Sequence, residues 1–160
     1  MTEPAQRFEG TIVAAPLESM SALEVHDVYK LRVDVFIVEQ AETWPEIDDL
    51  DAEPATMHLR AYDDAPEDGS PVLVGVARAL PAETADGREA VRIGRVCVAA
   101  DHRSRGIGAA LIEEALSLAD GPFVLDAQEH LEGWYAGFGF VRDGETFLEG
   151  TVPHVPMRRG

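Results

Sequence analysis

Arg103, Arg105, Gly106 and Gly108 stand in an Arg-x-x-Gly-x-Gly run, and the chemistry that spacing suits is the holding of a phosphate. The run follows a β-branched stretch, Arg95-Val96-Cys97-Val98, and opens an apolar-periodic one, Ile107-Gly108-Ala109-Ala110-Leu111-Ile112. That reads as a strand, a polar turn and a helix N-terminus. The first N–H groups of a helix have no intrahelical partners and carry the positive end of the aligned peptide dipoles. Glycine lets an anion reach that backbone without meeting a Cβ, and the arginines add full charges. Two other phosphate loops are excluded. A Walker loop needs a lysine after its last glycine, and Lys30, the only lysine in the chain, lies far upstream. A dinucleotide fingerprint needs a third glycine where Leu111 stands.

A second group lies downstream. Phe123-Val124-Leu125-Asp126-Ala127 reads as a short buried strand, and Trp134-Tyr135-Ala136-Gly137-Phe138-Gly139-Phe140 follows it. A phenol with an ordinary pKa of about 10 is suited to hydrogen-bond a group that gains negative charge or to give it a proton. Packing among Trp134, Phe138 and Phe140 is the other reading of Tyr135.

With these two motifs in this order, the chain resembles the GNAT superfamily of N-acetyltransferases. Leu31 to Gln40 is similar to the first-helix signature of its ElaA-like branch. Asp48, Asp51, His58, Ala77-Arg78, Ile93-Gly94-Arg95-Val96, Ala127-Gln128 with His130, and Pro153-His154 match that branch too. Trp44 stands where Tyr is common and Asp49 where Gly is common, and these departures bear on substrate choice.

The resemblance implies an α/β fold with a GNAT-type mixed, mostly antiparallel central sheet flanked by helices. It implies an N-acetyltransferase that takes acetyl-CoA as co-substrate, uses no metal, and acetylates a primary amine of a small polar molecule by direct attack; a non-catalytic acyl-CoA-binding regulatory module and an acyltransferase with a different acyl donor are the alternative readings. The CoA pyrophosphate is expected at Arg103, Ser104, Arg105, Gly106, Ile107, Gly108 and Ala109. The pantetheine arm is expected on the backbone of Val96, Cys97 and Val98. Tyr135 takes the role of acid, with Glu39 as a second catalytic residue. Arg32, Phe36, Gln40, Arg78, Arg95, His130 and His154 are expected around the acceptor.

An amine must be neutral to attack. For a lysine-like amine near pH 7 deprotonation costs about 4.6 kcal/mol, and for an α-amino group only about 1 kcal/mol. A general base therefore matters mainly for the first class. Glu39 and His130 are candidates, with His154 behind them. A buried, unpaired arginine is expensive, so Arg32, Arg78 and Arg95 either pair with Glu39, Asp48 or Asp51 or line a polar acceptor pocket. The Asp48-Asp49-Leu50-Asp51 cluster lacks the spacing of a calcium loop. Cys97, a lone cysteine in an apolar strand, reads as a small buried hydrophobe and not as a nucleophile.

The elements that must position these residues follow from pattern. Strands are expected at 11–14, 56–62, 72–80, 91–98, 123–127, 140–141 and 147–157, with turns at 63–71 (Pro66, Gly69) and 81–87. Ser21 with Glu24 has capping-box spacing and starts a helix reaching Val38; further helices are expected at 106–119 and 131–138. The first ten residues read as loosely held.

The 160 residues are expected to form one domain. A net charge of −17 argues against a nucleic-acid partner. Two readings of the acidity stand, a high-salt host or steering of a cationic amine. Arg92, Arg95, His102, Arg103 and Arg105 are expected to gather at the phosphate loop and offset the acidity there. The chain has no signal peptide or membrane-spanning run and reads as cytoplasmic, with no membrane partner and the oligomeric state, homodimer included, open.

Overall fold

The computed structural model describes residues 6–64 and 69–160, so Pro66 and the first five residues lie outside it. In chain order the elements are β1 (Thr11–Ala15), α1 (Ala22–Arg32), β2 (Met57–Asp63), β3 (Val72–Glu83), β4 (Glu89–Val98), α2 (Ile107–Ser117), β5 (Phe123–Gln128), α3 (Glu132–Ala136), β6 (Val141–Arg142), β7 (Phe147–Glu149) and β8 (Val152–Arg159). They build one sheet in the order β1-β2-β3-β4-β5-β8-β6, with β7 also on β8. All pairings are antiparallel except β4 with β5. This is the expected mixed, mostly antiparallel sheet.

The α1 helix starts as its sequence dictates. The Ser21 side chain accepts from the Glu24 N–H, and the Glu24 carboxylate accepts from the Ser21 N–H. Backbone and Arg60 hydrogen bonds hold the Glu24 carboxyl down at about 2. The α-helix ends at Arg32, short of the expected Val38. Val33–Glu39 continues as a wider π turn, in which the Gln40 N–H donates to the Val35 carbonyl at 3.0 Å. The extra residue in that turn is invisible to a 3.6-residue periodicity.

Apolar residues on both faces of the sheet bury two clusters. Leu111, Ile112 and Ala115 bring α2 onto one face, with Leu59, Ile93, Phe123 and Leu125. Val28, Val35 and Phe36 bring α1 and the π turn onto the other, with Val76 and Cys97. Two further expectations change at the ends. β3 runs on through Pro81 to Glu83, shortening the turn, and 147–157 is two strands because the chain reverses at Gly150, φ +59°.

The sheet has one break that matters for function. Arg95 and Val96 of β4 together oppose the single residue Ala77 of β3, and Arg95 adopts φ +53°. This is a β-bulge, and it reverses the alternation of faces. Ile93 and Cys97, four apart, would share a face in a regular strand, yet each packs in a different cluster. The β4–β5 ladder holds only Val91 with Phe123 and Arg92 with Val124. Beyond Arg92 the two strands part.

Candidate active site

A groove of about 490 Å³ runs along the parted end of β4 to the start of α2. Its walls are Val96, Cys97 and Val98, then Arg103, Ser104, Gly106, Ile107, Gly108 and Ala109, with Val35, Glu39 and Gln40 from the π turn opposite. Nearly all the residues expected to hold the donor are thus in one groove. Gly106 caps α2 with no side-chain hydrogen bond, so the first N–H groups of α2 are left to a ligand. That donor set fits a diphosphate.

The two glycines of the loop have different reasons. Gly106 has φ +75°, and a Cβ there would sit 2.2 Å from the Gln6 carbonyl oxygen. At Gly108 a Cβ would make only ordinary contacts, with the Trp134 ring at 3.5 Å and Val98 at 3.9 Å, all three residues lining the groove. The first glycine shapes the loop and the second leaves room.

The expected gathering of arginines at this loop is corrected. Arg105 turns into an adjoining hollow with Arg7, Asp63 and Asp64. Arg92 and Arg95 lie at the far end of the parted strands. Arg103 alone of these arginines lines the groove, where it donates to the Val98 carbonyl at 3.3 Å and to both oxygens of Glu39. The Arg103 hydrogen bonds hold the Glu39 carboxyl below the ordinary glutamate range. Glu39 therefore lies on the donor side with lowered proton affinity, the opposite of what a base for the acceptor needs.

A second cavity, about 380 Å³, opens on the α1 face. Phe36, Trp44, Arg78, Arg95, Gln128 and His154 line it, as do Asp48, Asp126 and Glu149. It meets the donor groove at Val96, Leu131 and Tyr135, which line both. Gln40 lines the groove and not this cavity, but it accepts a 3.1 Å hydrogen bond from Gln128 across the boundary. His130 is exposed at the turn before α3 and lines neither space, which corrects its assignment as base or acceptor ligand.

Arg32 is also corrected. It is 1% exposed and lines neither space. Its Nε donates to Glu46 at 2.9 Å and its Nη1 to Asp51 at 2.7 Å. Arg78 donates to Asp48 at 2.7 Å and Asp51 at 3.0 Å, and Arg95 reaches Glu46 at 3.2 Å and Asp48 at 3.5 Å. Three arginines and three carboxylates form one network, of which Arg78, Arg95 and Asp48 reach the cavity. Burial raises the Asp51 carboxyl, but the Arg32 hydrogen bond and charge outweigh it and hold it below the aspartate range. His58 braces the same loop, its Nε2 donating to the Asp51 carbonyl at 2.9 Å.

Tyr135 is 8% exposed and packs edge-on to Trp134 at 4.8 Å. Burial pushes its phenol up to about 12, so the hydroxyl keeps its proton throughout the physiological range. Cys97 is buried and its thiol is likewise pushed up to about 12, which removes it as a nucleophile. Glu46, Arg92, Asp126, Leu131 and Glu149 were not singled out from sequence as parts of the acceptor side. Arg92 and Asp126, which pair at 2.9 Å, carried the one available signal, polar residues inside otherwise apolar strands.

Residues 34–159 match the family described as the acetyltransferase (GNAT) domain. A UPF0039 protein of Mycobacterium tuberculosis is 41% identical over 143 residues, 89% of this chain and 88% of that one. The crystal structure of an acyl-CoA N-acyltransferase from Pseudomonas aeruginosa superposes with TM-score 0.82 at 34% identity, covering 95% of this chain and 100% of that one. Escherichia coli ElaA superposes with TM-score 0.79 at 30% identity, covering 94% and 99%. The parted strands, the open helix start and these likenesses agree, and the chain belongs to the GNAT acetyltransferase family of acyl-CoA-dependent N-acyltransferases, with ElaA among its homologues.

Proposed function

We propose that this protein transfers an acetyl group from acetyl-CoA to a primary amine of a small polar molecule, by direct attack of the amine on the thioester. The observation that carries the proposal is the meeting of donor groove and acceptor cavity at Val96, Leu131 and Tyr135. A thioester lying along β4 then has its carbonyl exposed to the cavity and its sulfur near a phenol. Tyr135, protonated through the neutral range, donates a hydrogen bond to the sulfur as the C–S bond breaks. Cys97 supplies no thiolate for an acyl-enzyme, which supports a single displacement.

The test is thiol release from acetyl-CoA with a panel of primary amines, with the N-acetyl product identified by mass. Thiol release that depends on the amine is expected. Saturable CoA binding with no thiol release for any amine overturns the proposal, and a strong preference for a longer acyl-CoA overturns its acetyl part.

A further inference from the structure

We propose that His154 and Glu149 together dock and deprotonate the reacting amine, so that the acceptor is an alkylamine arriving as an ammonium ion. This rests on the acyl-transfer reading and deepens it.

His154 lies on β8, stacked on Phe147 at 5.9 Å and edge-on to Trp44 at 6.1 Å. Its Nδ1 is 2.9 Å from the Val152 carbonyl oxygen. A carbonyl only accepts, so Nδ1 holds the ring proton and Nε2 presents a lone pair. That Nε2 stands 3.6 Å from Glu149 Oε2. With the ring neutral, two acceptors face each other at a separation too long for a hydrogen bond. An ammonium group donating to both satisfies them.

The charge around the cavity points the same way. Arg32, Arg78 and Arg95 are matched by Glu46, Asp48 and Asp51, and Arg92 by Asp126. Glu149 has only the His154 imidazole beside it among these groups. Among the described residues Glu149 is thus the acid of the cavity lining that no arginine pairs with, and it stands 44% exposed beside an aromatic wall of Trp44 and Phe36. Carboxylate and ring faces both favour a cation.

The proton balance closes. The ammonium passes one proton to His154 Nε2, and Glu149 steadies the imidazolium. The freed amine forms the N–C bond as the C–S bond breaks. The sulfur takes the Tyr135 proton, and the phenol oxygen regains one from the nitrogen that is now part of the amide. His154 releases its proton to solvent.

The test compares benzylamine, an ammonium at neutral pH, with 4-methylaniline, which is uncharged there. Calorimetry with the CoA-saturated protein is expected to show benzylamine binding that Glu149→Gln weakens about tenfold, with benzyl alcohol indifferent to the change. In turnover, His154→Gln is expected to lower the benzylamine rate about 100-fold, on the scale of a lost general base, and the 4-methylaniline rate less than about threefold. Equal losses for both amines mean a packing role and overturn the proposal, as do unchanged rates or no benzylamine binding to the wild type. Benzylamine binding that depends on Glu149, with no thiol release for any amine of the panel, upholds the docking site and overturns acetyl transfer. Should His154→Gln fail to fold, Glu149→Gln, changed at a half-exposed side chain, decides the matter by the same binding and rate comparison.

Discussion

Arg103 grips Glu39 with both ends of its guanidinium, Nη1 to Oε1 at 2.6 Å and Nη2 to Oε2 at 2.9 Å, across the donor groove. The same guanidinium belongs to the one arginine of the loop that lines the groove, so a diphosphate bound there and the carboxylate compete for it. Glu39→Gln is expected to tighten CoA binding by about two- to fivefold, the scale of one exposed ion pair. Arg103→Ala is expected to weaken it at least tenfold. Calorimetric titration with CoA reads both, and weaker binding in Glu39→Gln shows that Glu39 itself supports the ligand.

Gly106 and Gly108 are expected to separate on substitution. Gly108→Val crowds the groove while the fold tolerates it, so CoA affinity falls at least tenfold with a change of Tm of a few degrees. Gly106→Val meets both a positive φ and the Gln6 carbonyl, and is expected to lower Tm clearly as well. Melting curves alongside CoA titrations distinguish the two.

Tyr135→Phe is expected to lower turnover by about two to four orders of magnitude and leave CoA affinity nearly unchanged. It has a second signature. The phenol ionises near 10 in the unfolded chain and at about 12 when folded. Between those values the folded state binds more protons, so its stability falls as pH rises. Replacing the phenol removes that share of the slope, which denaturant melts at alkaline pH measure.

Asp51→Ala is expected to cost about 3–5 kcal/mol, because it removes one of the two carboxylates paired with the buried Arg32, leaving Glu46 alone there, and one of the two paired with Arg78. With the Asp51 carboxyl lowered in the fold, its contribution is present above the ordinary aspartate pKa and is lost as pH falls through the folded value. Urea titration from neutral pH downward should show the wild type losing stability across that range and the variant losing less.

The donor half of the site was legible because its residues are contiguous. Arg103 to Ala109 is one turn and one helix start, and glycine is the residue such a turn demands. The acceptor half was less so. Arg32 pairs across 14 and 19 residues and Arg78 across 30 and 27, separations set by how the 45–51 loop folds back. Pairing was one of the two readings of those arginines, and only their burial decides it for Arg32. Glu39 and Gln40 were misplaced because the π turn swings them toward the groove. The bulge left no trace, since an arginine gives no sign that it will take a left-handed backbone.

That left-handed residue is where the acidic loop acts on the sheet. Arg95 sits at φ +53°, a conformation that costs a non-glycine residue about 1 kcal/mol or more, and its guanidinium is tied to Glu46 and Asp48 and to the Pro45 carbonyl. The side chain of Arg95 thus joins the loop to the bulge. A change at Glu46, which lines neither space, is therefore expected to be felt at the bulge, whose neighbour Val96 lines both the groove and the cavity.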